Sequence, residues 1–180
     1  MGLLIYTDGG CSGNPGPGGW AYIIIQGGSA KETKETVVAE QWGAEQDTTN
    51  NRMELQAVIA ALEALIHLDE SYGFVTVYTD SQYVQKGISM WIHQWKKKNW
   101  KTSDNKPVKN VDLWQRLDEL SSTFLLSWEW VKGHAGNRFN ERCDRMTQEA
   151  IASLSVPSFE SRGALRKKEQ NGQYIPGELF

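Results

Sequence analysis

The hydrophobic period of this chain changes near residue 50, and that change limits the folds open to it. Before it, residues 3–7, 20–26 and 34–42 carry apolar side chains at strand-like spacing. The first two are separated by the turn-rich run from Gly9 to Gly19, and short glycine-bearing connections predict an antiparallel meander. After it, Leu55, Val58, Ile59, Leu62, Leu65 and Ile66 recur at helical spacing, predicting an amphipathic helix over 51–68 with Asn50 or Asn51 as its N-cap. Residues 74–79 are again β-branched and aromatic; because a helix precedes them, this strand is expected to run parallel to the first. Helices over 81–100 and 111–121, a strand over 124–131 and a helix over 139–153 complete the order βββαβααβα. That order implies an α/β fold: one five-stranded mixed sheet, three antiparallel strands and then parallel ones, with helices on both faces. Trp42 and Trp128 are expected in the core.

A chain of 180 residues fits one domain. Residues 1–154 are expected to form it. Residues 155–180 lack sustained periodicity beyond a helical turn near 163–169, and a mobile tail is expected there. No apolar run approaches membrane-spanning length, and the N-terminus lacks the basic and long apolar regions of a secretory signal. Cys11 and Cys143 make neither a disulfide framework nor a zinc site, so a reducing, cytoplasmic setting is expected. The net charge of −3 argues against a uniformly basic nucleic-acid coat, but the charge is uneven. Between Lys86 and Lys109 there are seven lysines against one acid, Asp104, for +6, so the rest of the chain carries −9. A basic segment beside an acidic site suits a polyanion handled by metal ions.

Four acids stand at the ends of apolar segments: Asp8 and Asp80 end strands expected to be neighbours, Glu54 opens the first helix, and Asp144 lies on the last. Each has an ordinary structural explanation. Asp8 precedes Gly9-Gly10 and suits a turn, Glu54 and Asp80 suit helix starts, and Asp144 suits a solvated helix face. Together these explanations weaken, because the expected topology converges the four. A helical wheel puts Glu54 about 20° from Leu65, at the rim of the apolar stripe. Two carboxylates about 5 Å apart repel by roughly 3 kcal/mol at an effective dielectric near 20. Divalent cations relieve that repulsion and can activate water against a phosphodiester.

The segments Tyr6-Thr7-Asp8-Gly9, Thr49-Asn50-Asn51-Arg52-Met53-Glu54-Leu55, Tyr78-Thr79-Asp80-Ser81-Gln82-Tyr83 and Val131-Lys132-Gly133-His134-Ala135-Gly136, followed by Asn140-Glu141-Arg142-Cys143-Asp144, resemble bacterial ribonuclease HI, of the type 1 ribonuclease H family, from residue 3 to about 153. The resemblance implies a ribonuclease H-like fold and hydrolysis of the RNA strand of RNA–DNA hybrids with two Mg²⁺ ions, leaving 5′-phosphate and 3′-hydroxyl ends. By position, Asp8 would bridge both ions, Glu54 and Asp80 would complete the one on the leaving-group side, and Asp144 the one that activates water. His134 would assist water activation or product departure. Mn²⁺ also fits oxygen ligands.

To tell RNA from DNA in any sequence, the handle is the 2′-hydroxyl in a wide minor groove. Candidates for reading it are the backbone at Cys11 and Ser12 and the side chains of Asn14, Asn50 and Gln82; resemblance supports Asn50 and Gln82 most directly. Thr49 and Asn51 resemble the family's pocket for a DNA phosphate. The run from Trp91 to Lys101 resembles its basic protrusion, here spanning about 86–109, with Lys96, Lys97 and Lys98 facing phosphates and Trp91 against deoxyribose. The competing reading of that run is one buried tryptophan face with a solvated lysine face. A monomer is expected. Another nuclease on the same sheet, or a non-catalytic hybrid-binding module, are the alternatives; the module would predict loss of a carboxylate, and all four are present.

Overall fold

A computed structural model of the chain describes residues 2–27, 35–68, 73–133 and 135–155. Its strands are β1 (Gly2–Cys11), β2 (Gly16–Gln26), β3 (Thr36–Thr48), β4 (Phe74–Thr79) and β5 (Leu126–Trp130), in the sheet order β3-β2-β1-β4-β5. β1–β2 and β2–β3 pair antiparallel, while β1–β4 and β4–β5 pair parallel, as the order of elements predicts. The helices are α1 (Asn50–His67), α2 (Gln82–Lys86), α3 (Ile92–Lys97), α4 (Val111–Ser121) and α5 (Arg138–Ser153). No helix among the described residues is long and apolar enough to cross a membrane.

Two apolar clusters sandwich the sheet. On one face Leu3, Ile5, Tyr22, Ile24, Val75 and Val77 pack against Leu55, Val58, Leu62 and Leu65 of α1 and Trp114, Leu117 and Leu120 of α4. On the other, Tyr6, Ala21, Ile23 and Ile25 meet Phe139 and Cys143 of α5. Both strand faces are therefore buried, which is why β2 holds the unbroken apolar run Tyr22-Ile23-Ile24-Ile25 rather than a strict alternation.

The run from Gly9 to Gly19 is not a long turn. β1 and β2 continue through it, pairing Gly9 with Trp20, Gly10 with Gly19 and Cys11 with Gly18, and the reversal occupies only residues 12–15. These glycines serve helix approach. A Cβ on Gly9 would collide with the backbone of Met53 and Glu54, and one on Gly19 would lie 2.7 Å from the Thr147 carbonyl and 3.0 Å from the Ala150 Cβ. Glycine in a strand marking close approach of another backbone is the signal that a turn reading overrides.

Other differences follow from tertiary context. The N-cap of α1 is Thr49 rather than Asn50 or Asn51; the backbone N–H groups of Arg52 and Met53 donate to its carbonyl at 3.0 and 3.1 Å. β3 runs on to Thr48 because β2 pairs with it along that length. Trp42 is 43% exposed on this edge strand, not in the core, while Trp128 is half-buried against the α1 cluster. Ile66, at the edge of the α1 stripe, is also exposed. The predicted helix over 81–100 is broken by a π-helical turn at Gly87–Trp91 and ends at Lys97. There the ring of Trp114 lies against Gly87 where any Cβ would stand, so the irregular turn is built around that tryptophan. The residues from 156 onward, including the predicted turn near 163–169, lie outside the described residues.

Candidate active site

Asp8 and Asp80 are neighbours by register. Tyr6 and Tyr78 pair across β1 and β4, and their rings stack at 4.7 Å with an interplanar angle of 11°. Each aspartate stands two residues further on, so strand periodicity carries both carboxylates to the face that α5 covers. Asp8 is 9% exposed, and Asp80 is half-buried just past the end of β4. Both lie one residue past Thr7 and Thr79, the last parallel pair of β1 and β4, although β1 itself runs on to Cys11 in its pairing with β2; that C-terminal edge of the parallel ladder is where open α/β sheets take their ligands.

Glu54 arrives from the other layer. Because Gly9 has no side chain, the first turns of α1 press directly on β1, and Glu54 reaches the sheet edge there. Burial pushes its carboxyl well above the usual carboxylate range, the negative charges of Asp8 and then Asp80 push it further, and the Gly9 backbone N–H opposes them by donating to it. Its Oε2 is buried and has no hydrogen-bond partner among the described residues. A buried, unpartnered carboxylate oxygen beside two like charges is a costly arrangement for a metal-free protein.

α5 closes the site from above. The Cys143 thiol donates to the Tyr6 carbonyl at 3.4 Å and the Thr147 hydroxyl to the Asp8 carbonyl at 3.4 Å. Asn140 Nδ2 donates to Asp80 Oδ2 at 3.3 Å. Asp144, half-buried, is one turn from Asn140 on the same flank of the helix, because residues four apart share a face. Burial, with the negative charge of Asp8 next, raises the Cys143 thiol far above its ordinary range, leaving it a packing group rather than a nucleophile.

The structure sets Asp8, Glu54 and Asp80 close enough for their charges to interact; what holds Asp80 was not legible in the sequence. The indole N–H of Trp130 donates to the Asp80 carbonyl at 3.0 Å, and Gly133 sits against its Oδ2. Asn140, four residues before Asp144, could have been found from its helical spacing alone. His134 lies outside the described residues.

The groups named for the hybrid fall in two places. At the rim beside Glu54, the Cys11 thiol donates to the carbonyls of Gly16 and Thr48 at 3.1 and 3.5 Å, and the Asn50 backbone N–H donates to Asn14 Oδ1 at 3.3 Å. Thr49 Oγ1 is buried without a partner among the described residues, Asn51 is half-buried, and Gln82 is exposed at the start of α2. The basic segment forms the second place. Lys97 and Lys98 are exposed, but Lys96 is held by Asp118 of α4 at 2.8 Å. Trp91 belongs to a ring cluster with Tyr83 and Trp95, and Trp95 packs on Trp114 at 5.4 Å. This is the tryptophan face of the competing reading, half-buried at Trp91 and Trp95, present beside the solvated lysines rather than instead of them.

The ribonuclease H family model matches residues 2–152 of the chain. This protein belongs to the ribonuclease H family. The ribonuclease H of Treponema denticola is 55% identical over 164 residues, covering 86% of this chain and 99% of that protein. The ribonuclease H of Maricaulis maris is 56% identical over 150 residues, covering 83% and 93%. Among solved structures, LC9-RNase H1, a type 1 RNase H with the type 2 active-site motif, superposes with a TM-score of 0.75 at 31% identity, over 84% of this chain and 72% of that one.

Ribonucleases H generally depend on divalent metals. Among the described residues no three His, Cys, Asp or Glu side chains form a ready-made metal cage. The donors nevertheless suit a hard cation. Mg²⁺ keeps several waters and needs only one or two carboxylates plus substrate phosphates, and the Glu54 Oε2, with no hydrogen-bond partner among the described residues, is an oxygen such an ion could take.

Proposed function

We propose that this ribonuclease H cuts the RNA strand of RNA–DNA hybrids with Asp8, Glu54, Asp80 and Asp144 as ligands to two Mg²⁺ ions. The observation that carries the reading is the unpartnered Glu54 Oε2, buried beside the Asp8 and Asp80 charges. When bound, paired ions supply stabilisation of the attacking and leaving oxygens of an in-line displacement, as well as a water of lowered pKa. The chain's own part is to hold carboxylates on two strand ends and two helices so that the scissile phosphate is drawn to one rim. An imidazole can take up and release a proton near neutral pH, and His134 is assigned exchange of a proton with the water or the departing product. Products carry 5′-phosphate and 3′-hydroxyl ends. Manganese can replace magnesium at oxygen ligands.

The hybrid is read by polar groups at the rim: the backbone at Cys11 with Asn14, Asn50 and Gln82 for 2′-hydroxyls, Thr49 and Asn51 for a DNA phosphate, and the basic segment with Trp91 for the DNA strand. Catalysis belongs to residues 1–154, acting as a monomer in the cytoplasm.

In an assay on labelled RNA–DNA, RNA–RNA and DNA–DNA duplexes, only the RNA of the hybrid should be cut, and only with Mg²⁺ or Mn²⁺ present. Equal cleavage of the homoduplexes, or full cleavage of the hybrid in excess chelator, would reject the proposal. His134→Ala should slow turnover severalfold to about a hundredfold without abolishing it, no more than the low end of what positioned proton-transfer groups typically contribute. Wild-type kcat in His134→Ala would remove His134 from the mechanism.

The lysines divide by their partners. Replacing Lys97 and Lys98 together with alanine should raise KM for hybrid severalfold at physiological salt and leave kcat within about twofold. It should also make the salt dependence shallower by about one to two in log–log slope, since each phosphate contact releases about one counterion. Lys96→Ala should change KM less, because its ammonium is already engaged by Asp118. An unaltered KM and salt slope in the double variant would take these lysines out of the binding surface.

A further inference from the structure

Asp80 is constrained from three directions. Its carbonyl accepts from the Trp130 indole at 3.0 Å. A Cβ on Gly133 would lie only 2.7 Å from its Oδ2, so that loop backs directly onto the carboxylate. Asn140 Nδ2 donates to the same Oδ2 at 3.3 Å. Asn140 is 3% exposed in the first turn of α5, and its place in the helix is set by Asn137, whose side chain accepts from the backbone N–H groups of Phe139 and Asn140 at 3.1 and 3.2 Å. The amide orientation is determined by chemistry, since the flipped form would set a carbonyl oxygen against a carboxylate oxygen. With Nδ2 so used, Asn140 Oδ1 is buried without a partner among the described residues.

We propose that Asn140 is a positioning residue for Asp80: its amide N–H holds Oδ2, so the other carboxylate oxygen is presented to the cleft, and its Oδ1 accepts from an O–H donor there. The inference rests on the reading of Asp80 as a metal ligand and deepens it. A neutral donor is the residue type the place requires. An acid at 140 would add a fifth carboxylate to Asp8, Glu54, Asp80 and Asp144 and lose the N–H, whereas a lysine would compete with the cation. Groups that orient a ligating carboxylate in this way typically change metal affinity or activity by about 10- to 100-fold when removed.

The test compares Asn140→Asp, Asn140→Ala and Asp80→Asn in the full chain, reading thermal midpoint, kcat and KM on hybrid, and Mg²⁺ binding by calorimetry without hybrid. Asn140→Asp keeps the shape that packing needs, removes the donor and adds a charge, while a folded Asn140→Ala removes the donor without adding one, so the pair separates packing from donation. Both Asn140 variants should lose about 10- to 100-fold in kcat with KM within twofold, and Asn140→Ala should bind Mg²⁺ severalfold more weakly. Full activity in Asn140→Asp, or unchanged kcat and Mg²⁺ affinity in a folded Asn140→Ala, would overturn the positioning role. If Asn140→Ala fails to fold, the kcat of Asn140→Asp decides. Loss of activity in Asp80→Asn with neither Asn140 variant impaired rejects this inference alone; wild-type activity in Asp80→Asn rejects the metal-ligand reading beneath it as well.

Discussion

Replacing Asp8 with asparagine is expected to lower kcat on hybrid by about a thousandfold or more, equivalent to roughly 4 kcal/mol at 1.36 kcal/mol per decade. The same change is expected to raise the thermal midpoint of the metal-free protein. Both outcomes have one cause. Asp8 is nearly buried, and its charge acts against the desolvated Glu54 carboxyl. Without a cation that charge is a liability to the fold; with one it is the charge that the site needs. Asparagine keeps the shape and removes the charge, so repulsion and cation attraction are lost together. A site that trades stability for function in this way is expected where like charges are held at close quarters. Kinetics on hybrid with Mg²⁺ and melting in chelator check the two halves. An active Asp8→Asn enzyme would dismiss the site, and a less stable metal-free variant would dismiss the repulsion argument.

Gly9→Ala is expected to destabilise the protein by about 3 kcal/mol, the upper part of the usual range for forcing extra volume into a packed interior. For a domain of this size that is a fall of roughly 6–12 °C in Tm. The added methyl would meet the backbone of Met53 and Glu54, which cannot swing aside as a long side chain could. α1 would have to lift from β1, moving Glu54 away from Asp8. A displacement of about 1 Å at a catalytic group can cost about a hundredfold in rate, so kcat should fall well beyond what the lost stability explains at assay temperature. Melting and kcat measured well below the new midpoint separate the effects. A variant with wild-type Tm would mean that α1 does not press on the strand at Gly9. One with lowered Tm and wild-type kcat would mean that the approach is structural only.

Much of this could be read from residue order. The change from strand to helical period near residue 50, and the return to β-branched residues at 74–79, gave the sheet its strand directions and brought Asp8 beside Asp80. The elements that misled reading were those whose residues answer to something distant in sequence. Gly9, Gly10, Gly18 and Gly19 look like a loop because nothing local explains them; all four are strand residues, and Gly9 and Gly19 lack side chains where α1 and α5 come close. Trp42 is a large apolar residue placed on an edge strand, where burial depends on what lies beyond it. The break of the helix at Gly87–Trp91 follows from the ring of Trp114, twenty-seven residues after that glycine.

Residue types and their spacing by themselves determined the family and the α/β sheet, and they named four acids as candidate ligands, because periodicity and motif order are local properties of a chain. Only the tertiary structure decided that Glu54 is desolvated with one oxygen unpartnered among the described residues, that Lys96 is engaged by Asp118 while Lys97 and Lys98 are exposed, and that Asn140 donates to Asp80. Burial and pairing depend on distances between residues far apart in sequence, and packing, not local preference, sets those distances.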